Sequence, residues 1–464
     1  MILPQAFINS INEIISNDAH SYFDALNTPS PISIRFNPKK WKHDVSLTPV
    51  KWAKNAYYLN ERPSFTLDPI FHAGYYYVQE ASSMLIEEVL KQVVDLTKTL
   101  KVLDLCAAPG GKSTILRSLL SDESLLICNE TVPNRARLLS DNLKKWGHPS
   151  VAVTRNDPSS FSNIHEYFDV IVVDAPCSGE GLFRKNTDAI NEWSEENVKL
   201  CASRQTRILS EIQQCLKPNG ILIYSTCTHN TLENEQVINE FTENFPFKCL
   251  KIDTLNKFSI DTRWYKNAII NRAWPHKLTG EGFSFSVLQK LSTDEPIRKR
   301  KNQSKNYFSK ANPSERSLAS QLINAKFEIV KNQNGELFMV PDLALEFYND
   351  YSEFLTFIQV GTKIGTIDKH GLSPAIDLFL SSFGNVSYAK QDIELTEALF
   401  FLKKQLGKIK QTTPGFTSLI YEGMQIGGGK NIGNRFNGYW PSEWMIQMNL
   451  PSNLPLPFWT IVKR

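Results

Sequence analysis

The chain lacks what several function classes require. None of its seven cysteines stands in a C-x-x-C pair, which removes the usual zinc framework, and an odd count in so long a chain argues against a disulfide scaffold. No apolar run nears the ~18 residues that cross a membrane. The start "MILPQAFINSINEII" carries Glu13 and has neither a basic stretch nor a small-residue cleavage site, so it does not read as a secretory leader. Charge of one sign is absent too: 51 Lys+Arg against 48 Asp+Glu leave a net +3. Such a balance neither demands nor forbids nucleic acid, and local clustering of cations decides. Internal repeats and low-complexity tracts are missing. These absences predict a reduced, cytoplasmic, monomeric protein with no metal and no membrane partner. A length of 464 residues predicts several domains.

One further absence concerns "LDLCAAPGGKST" (103–114). This strand, glycine turn and helix start look like a triphosphate loop, which needs a glycine five residues before Gly111. Cys106 stands there, and Pro109 has no amide hydrogen to offer. The turn therefore suits a nucleoside ligand better than a triphosphate.

From about Leu100 to Lys290 strands and helices alternate. "KVLDL" (101–105), "SLLICNE" (124–130), "VAVTRND" (151–157), "FDVIVVD" (168–174) and "ILIYSTC" (221–227) are short apolar runs suited to buried parallel strands. Helices are expected at 111–120, from Pro133 to Trp146 before Gly147, and over 203–216 ahead of a "KPNG" turn. Asn230 and Glu233 are placed to cap the next helix. The pattern predicts an α/β fold with a doubly wound, Rossmann-like sheet and a ligand at the carboxyl ends of its strands. Expected divisions are an N-terminal α/β RNA-binding or accessory domain (1–99), the doubly wound domain (100–292), a basic linker (293–314), a second α/β domain (315–410) and a glycine-dense tail (411–464). The linker contains "DEPIRKRKNQSKNYFSK" (294–310), and in the tail Lys430, Arg435, Tyr439 and Trp440 interleave cations and rings among glycines, a composition that suits phosphate and stacked bases.

The strand ends carry acids and thiols. Glu130 ends the second strand 19 residues past Gly111, where a ribose-binding acid is expected. Asp157 ends the third and could meet an adenine amino group; Asp174 ends the fourth and could face a cationic amine. Cys177 and Cys227 leave the fourth and fifth strands at the same rim, whereas Cys128, Cys201, Cys215 and Cys249 read as packing. Two thiols at a nucleoside site permit covalent chemistry. A thiolate adding to C6 of cytosine would make C5 nucleophilic toward the methyl of S-adenosylmethionine. A free thiol is only about 3% ionised at pH 7, so local charge must help.

"DLCAAPGGKS", "DAPCSGEGLFRK" and "YSTCT", in that order, resemble the Nop/Sun family of RNA cytosine-C5 methyltransferases, with a class I methyltransferase sheet. "SIRFNP", "GYYYVQEASSML" and "RAWPHKLTGEGFSFSVLQK" are similar to that family's flanking segments. "GMQIGGGK" and "GYWPSEW" are similar to the PUA-like RNA-binding tail of its RsmF type, which modifies 16S rRNA, although "GGGK" stands where relatives often carry an aromatic between the glycines. The resemblance implies that Cys106, Ala107, Ala108, Pro109, Gly110, Gly111, Lys112, Glu130, Asp157 and Asp174 hold S-adenosylmethionine. It implies that Cys227 attacks C6, that Cys177 assists release, that Asp174 joins them in catalysis and that Lys185 lies near RNA or cofactor. The partner is then rRNA, in a 30S subunit or its precursor. The alternatives are the same reaction on tRNA or 23S rRNA, or a non-catalytic RNA-binding assembly factor.

Overall fold

The computed structural model describes residues 2–292, 307–323, 327–369, 371–384, 388–410 and 412–459. Residues 294–306, most of the expected basic stretch, lie outside the described residues.

The five apolar runs form parallel strands at the centre of a ten-stranded sheet. Their spatial order is Val151–Thr154, Leu125–Asn129, Lys101–Asp104, Phe168–Asp174 and Leu216–Thr226. The direction of winding reverses between Lys101–Asp104 and Phe168–Asp174, and such a switch opens a crevice at the carboxyl ends. Alternate side chains serve opposite layers: Val102, Leu126 and Val170 join one apolar cluster, while Leu103, Ile127 and Ile171 join the other. Burial on both faces explains why these strands read as unbroken apolar runs. Pro133 opens the helix Pro133–Trp146, and left-handed Gly147 closes it, its N–H donating to Leu143 O at 3.0 Å.

Several elements depart from expectation. The helix expected at 203–216 spans Glu195–Ile212, because Ser194 Oγ accepts from Asn197 N and starts it earlier. "KPNG" lies within the long strand Leu216–Thr226, whose register against Phe168–Asp174 shifts near its start. Phe357–Val360, expected in a separate domain, pairs antiparallel with Val151–Thr154 and covers an otherwise open edge. The expected divide at 410 runs through one sheet, since Ala389–Asp392 pairs with Gly415–Tyr421. Phe308–Lys310, in the expected linker, pairs with Glu328–Asn332 in a five-stranded sheet.

The N-terminal sheet, built on Ile32–Phe36, shares one apolar cluster with the C-terminal sheet. Asp68 ties the two together. It accepts from Tyr76 Oη (2.8 Å) and Trp459 Nε1 (2.7 Å) on one oxygen and from Ile70 N (3.1 Å) on the other. Burial raises its pKa to about 6 against the pull of these donors. Because the folded value exceeds the unfolded one, this carboxylate costs stability as pH rises through 6, and its donors matter most where it is ionised. Trp459→Phe should therefore cost about 1–3 kcal/mol at pH 7.5 and less at pH 5 in urea denaturation. An equal loss at both values would remove Asp68 as the tether.

Candidate active site

The first strand delivers Asp104 to the rim, and the chain then crosses to Gly110. Ala107 N donates to Asn129 O and Gly110 N to Ala107 O, both at 2.8 Å. Gly110 takes φ +112 and the helix Gly111–Leu119 begins after it, a left-handed step that favours glycine. Asn129 locks neighbouring strand ends, donating to Leu105 O and Asn156 O and accepting from Thr154 Oγ1. The carbonyls of Ala108 and Pro109 are held by Arg135, Asn142 and Tyr77. Cys106 is partly buried, and burial first, then nearby carboxylates, pushes its thiol up. Such a thiol packs and does not react.

The structure brings acids together at this crevice, including one that the sequence reading missed. Asp104 is fully buried; its Oδ2 accepts from Ser113 Oγ at 2.7 Å, while Oδ1 has no partner among the described residues. Burial, opposed by Ser113 and helped by Asp174, raises its pKa to about 7. A buried, unsatisfied oxygen marks a place where a donor belongs. Glu130 is nearly buried at the next strand end, accepting from Val132 N at 3.0 Å with Arg135 at 3.5 Å. Asp157 turns to Arg207 (3.0 Å) and caps Ser159 N, and the Arg207 hydrogen bond holds its pKa down at about 2. Its carboxylate is thus engaged by the protein, although still partly exposed. Asp174 does face a cationic amine, but it is Lys112 Nζ at 2.7 Å, with Ser225 Oγ on the other oxygen. The orphaned Asp104 oxygen, Glu130 and the open glycine turn form a donor and acceptor set that fits an amino-acid-bearing nucleoside such as S-adenosylmethionine.

Beside the Lys112–Asp174 pair lie the two thiols. Cys177 Sγ and Cys227 Sγ are 3.1 Å apart and both are free. Their hydrogen bond, then burial, pushes the Cys177 thiol well up, so it stays protonated at neutral pH. Burial lowers the pKa of Lys112, but Asp174 first, then Asp104 and the Cys227 thiol, more than offset it. The loops bearing the thiols are joined by Gly181 N donating to Cys227 O at 2.7 Å. They are joined also by two carboxylates whose roles the sequence reading did not see. Glu233 accepts from Ser178 N, Asn230 Nδ2 and Gln205 Nε2; Glu180 accepts from His229 N, Asn230 Nδ2 and Trp193 Nε1. Asn230 Oδ1 does accept from Glu233 N as the cap requires, but the Glu233 side chain turns to the other loop.

The tail corrects one expectation. Trp440 is 1% exposed, donates Nε1 to Trp444 O and packs on Phe401, so its ring is core and cannot stack on a base. Tyr439 is half-buried near Phe379 and Phe416. Lys430 and Arg435 are exposed, with Lys430 Nζ over the Phe416 ring. Gly427 and Gly428 admit neighbouring side chains: a Cβ on Gly427 would meet Phe401 at 2.7 Å and one on Gly428 would meet Phe379 at 2.4 Å. Lys185 is partly exposed, 3.7 Å from Glu281. Trp440→Ala should cost about 3–5 kcal/mol of stability, and unchanged melting would return the ring to the surface.

Asp104→Asn is expected to weaken binding of S-adenosylmethionine roughly 10- to 100-fold in calorimetry, the worth of a lost charge-assisted hydrogen bond of about 1.5–3 kcal/mol. It should also raise the melting temperature of the ligand-free protein. The ionised carboxylate is penalised fully above pH 7 and progressively less toward pH 4, so the gain should be larger at pH 8 than at pH 5. A gain independent of pH would sink the assignment.

Residues 91–289 match the family model described as 16S rRNA methyltransferase RsmB/F, and residues 3–81 match the N-terminal domain of 16S rRNA methyltransferase RsmF. The chain is similar to the ribosomal RNA small subunit methyltransferase F of Shewanella piezotolerans, with 27% identity covering 95% of this chain and 96% of that one. A Pectobacterium atrosepticum protein of the same name is 32% identical over 64% of each. Among solved structures, a methyltransferase homologue from Pyrococcus horikoshii superposes with TM-score 0.53 and 28% identity, covering 62% of this chain and 95% of its own. NSun6 from Pyrococcus horikoshii, solved with SFG, shares the fold at TM-score 0.52 and 18% identity, over 62% of this chain and 99% of its own. With both family models matched in sequence order and the doubly wound fold shared, the chain belongs to the RsmB/F family of methyltransferases.

Proposed function

We propose that this protein transfers a methyl group from S-adenosylmethionine to C5 of a cytosine in 16S rRNA, acting as a cytoplasmic monomer on the 30S subunit or its precursor. The observation that carries the chemistry is the pair of free thiols 3.1 Å apart beside the Lys112–Asp174 ion pair. A non-catalytic binder has no use for such a pair. The relatives' printed names supply the substrate, the small-subunit RNA. No helix among the described residues is long and apolar enough to cross a membrane.

When bound at the crevice, S-adenosylmethionine supplies an electrophilic methyl on a sulfonium. Asp104, Glu130 and the glycine turn hold and orient it. The Cys227 sulfur forms the bond to C6 of cytosine and makes C5 electron-rich. Cys177 keeps its proton while that bond forms, since burial and its neighbour hold the thiol neutral. After methylation the C5 proton passes to water as the Cys227–C6 bond breaks, and the protonated Cys177 thiol, 3.1 Å away, donates to the departing Cys227 sulfur. Exposed Lys430 and Arg435 then contribute charge to RNA binding from the tail.

The thiols can be separated by role. Cys227→Ser should abolish methylation and any covalent protein–RNA species, because a serine hydroxyl is hardly ionised at neutral pH. Cys177→Ala should still add to the base and methylate it, but release slows ~10²–10⁴-fold without the acid/base group. A denaturation-resistant adduct should accumulate on reducing gels and vanish when Cys227→Ser is added. An adduct formed by Cys227→Ser and absent from Cys177→Ala would reverse the roles. Bisulfite sequencing of RNA from a deletion strain tests the substrate: an unchanged 16S rRNA with a lost site in tRNA or 23S rRNA would move the activity there.

A further inference from the structure

A cleft of about 530 Å³ runs between the N-terminal sheet and the loop that follows Cys177, lined by Ser33, Arg62, Gln79, Glu80, Arg184 and Lys185 among others. Its volume lies within the range of small-ligand pockets, about 300–1,000 Å³. At one end, Gln79 touches the glycine turn: a Cβ on Gly111 would meet Gln79 Nε2 at 3.3 Å. At the other end, Lys185 N donates to Leu182 O at 2.9 Å, one turn on from Gly181, whose N–H holds Cys227 O. The cleft thus adjoins the glycine turn and the loop that follows Cys177.

Its carboxylates are consumed by the protein. Glu80 accepts from Ser82 N, Ser83 N and Glu281 N, each at 2.8 Å. Glu281 accepts from Arg184 Nε at 2.7 Å, and Arg184, with its side chain buried, also donates to Ala25 O and Thr28 Oγ1. Two cations remain to face the opening. Lys185 is only loosely paired, 3.7 Å from Glu281. Arg62 is exposed and has no carboxylate within 4.0 Å among the described residues, yet its guanidinium is steadied over the Phe65 ring at 5.4 Å. An exposed guanidinium held by a ring, with no acidic partner, is presented for an anion.

We propose that this cleft seats the RNA nucleotide adjoining the target cytosine, with Arg62 and Lys185 gripping its phosphodiester. The inference rests on the reading that RNA is the substrate, and it assigns a phosphate contact to Arg62 in the N-terminal domain. Guanidinium binds phosphate through paired donors, so a lysine at position 62 restores charge but only part of the geometry.

The test uses the full chain with 30S particles and, in parallel, deproteinised 16S rRNA from cells lacking the enzyme, with filter binding across a salt series and steady-state methylation. Arg62→Ala should weaken RNA binding and raise the KM for RNA about five- to tenfold, with kcat and the affinity for S-adenosylmethionine within twofold of the parent. The slope of log affinity against log salt should flatten by about 0.7–0.9, the release of one phosphate's counterions. Arg62→Lys should recover the slope and part of the affinity. Parental affinity and slope in Arg62→Ala on both substrates would overturn the proposal, as would a defect on 30S particles whose salt slope is unchanged, which would assign the cleft to a protein. A parent protein that binds this RNA through Arg62 but transfers no methyl group to it would fault the proposed reaction and leave the cleft assignment standing.

Discussion

Two buried carboxylates, Glu180 and Glu233, determine whether there is a reaction centre at all. Cys177 and Cys227 leave different strands on loops with no regular backbone pairing between them beyond the Gly181–Cys227 hydrogen bond. Glu233 reaches from the fifth strand's loop to Ser178, and Glu180 reaches from the fourth strand's loop to His229 and Asn230. Both side chains are fully buried. A carboxylate in that setting is tolerable only when its lone pairs are filled by donors, and here each oxygen has at least one. The desolvation that raises Glu233 is opposed by Ser178, Asn230 and Gln205. Cutting any one strut would leave a buried charge short of a partner, so the network resists partial loosening. Rigidity at the thiols follows from that constraint, and it suits chemistry in which bond formation and release use different sulfurs of one pair.

The sequence showed most of what is local. Runs such as "FDVIVVD" were legible as strands because both faces are buried, and Pro133 and Gly147 marked a helix because each residue satisfies a backbone requirement at its own position. That Cys177, Cys227, Asp174 and Glu130 lie at one rim was legible because each follows or ends a strand at the carboxyl side of the sheet. What escaped needs knowledge of a distant partner. Asp104 looks like one more polar residue closing a strand, and only its burial with an unpaired oxygen reveals it. Phe357–Val360 has nothing in its own pattern to say that it completes an edge some two hundred residues earlier in the chain. Trp440 misled for the converse reason: a tryptophan among glycines and cations resembles a stacking platform, but those glycines are the space into which Phe379 and Phe401 pack. Composition reports which surfaces can approach closely and is silent on what approaches.

The same principle changes the meaning of the N-terminal segments. "SIRFNP" and "GYYYVQE" precede the methyltransferase sheet, and as sequence they suggest an accessory RNA-binding module. In the folded chain they brace the cofactor turn. Arg35 is buried, donates to Gln79 Oε1, Thr114 Oγ1 and Ser118 Oγ, and lies 5.0 Å over the Trp146 ring. Burial lowers its pKa, opposed by Glu87 and then Tyr77, to about 10, so it remains charged at neutral pH. It thereby joins the N-terminal sheet to the helix Gly111–Leu119 and to the end of Pro133–Trp146, the two helices that follow the first and second strand ends. Tyr77 adds a hydrogen bond to Pro109 O at 3.1 Å. A buried guanidinium is costly unless it is hydrogen-bonded, and these three bonds tie any shift of the sheet to the helix that follows the turn. The N-terminal sheet is consequently a wall of the reaction centre, and any RNA that leans on it leans on the cofactor turn as well.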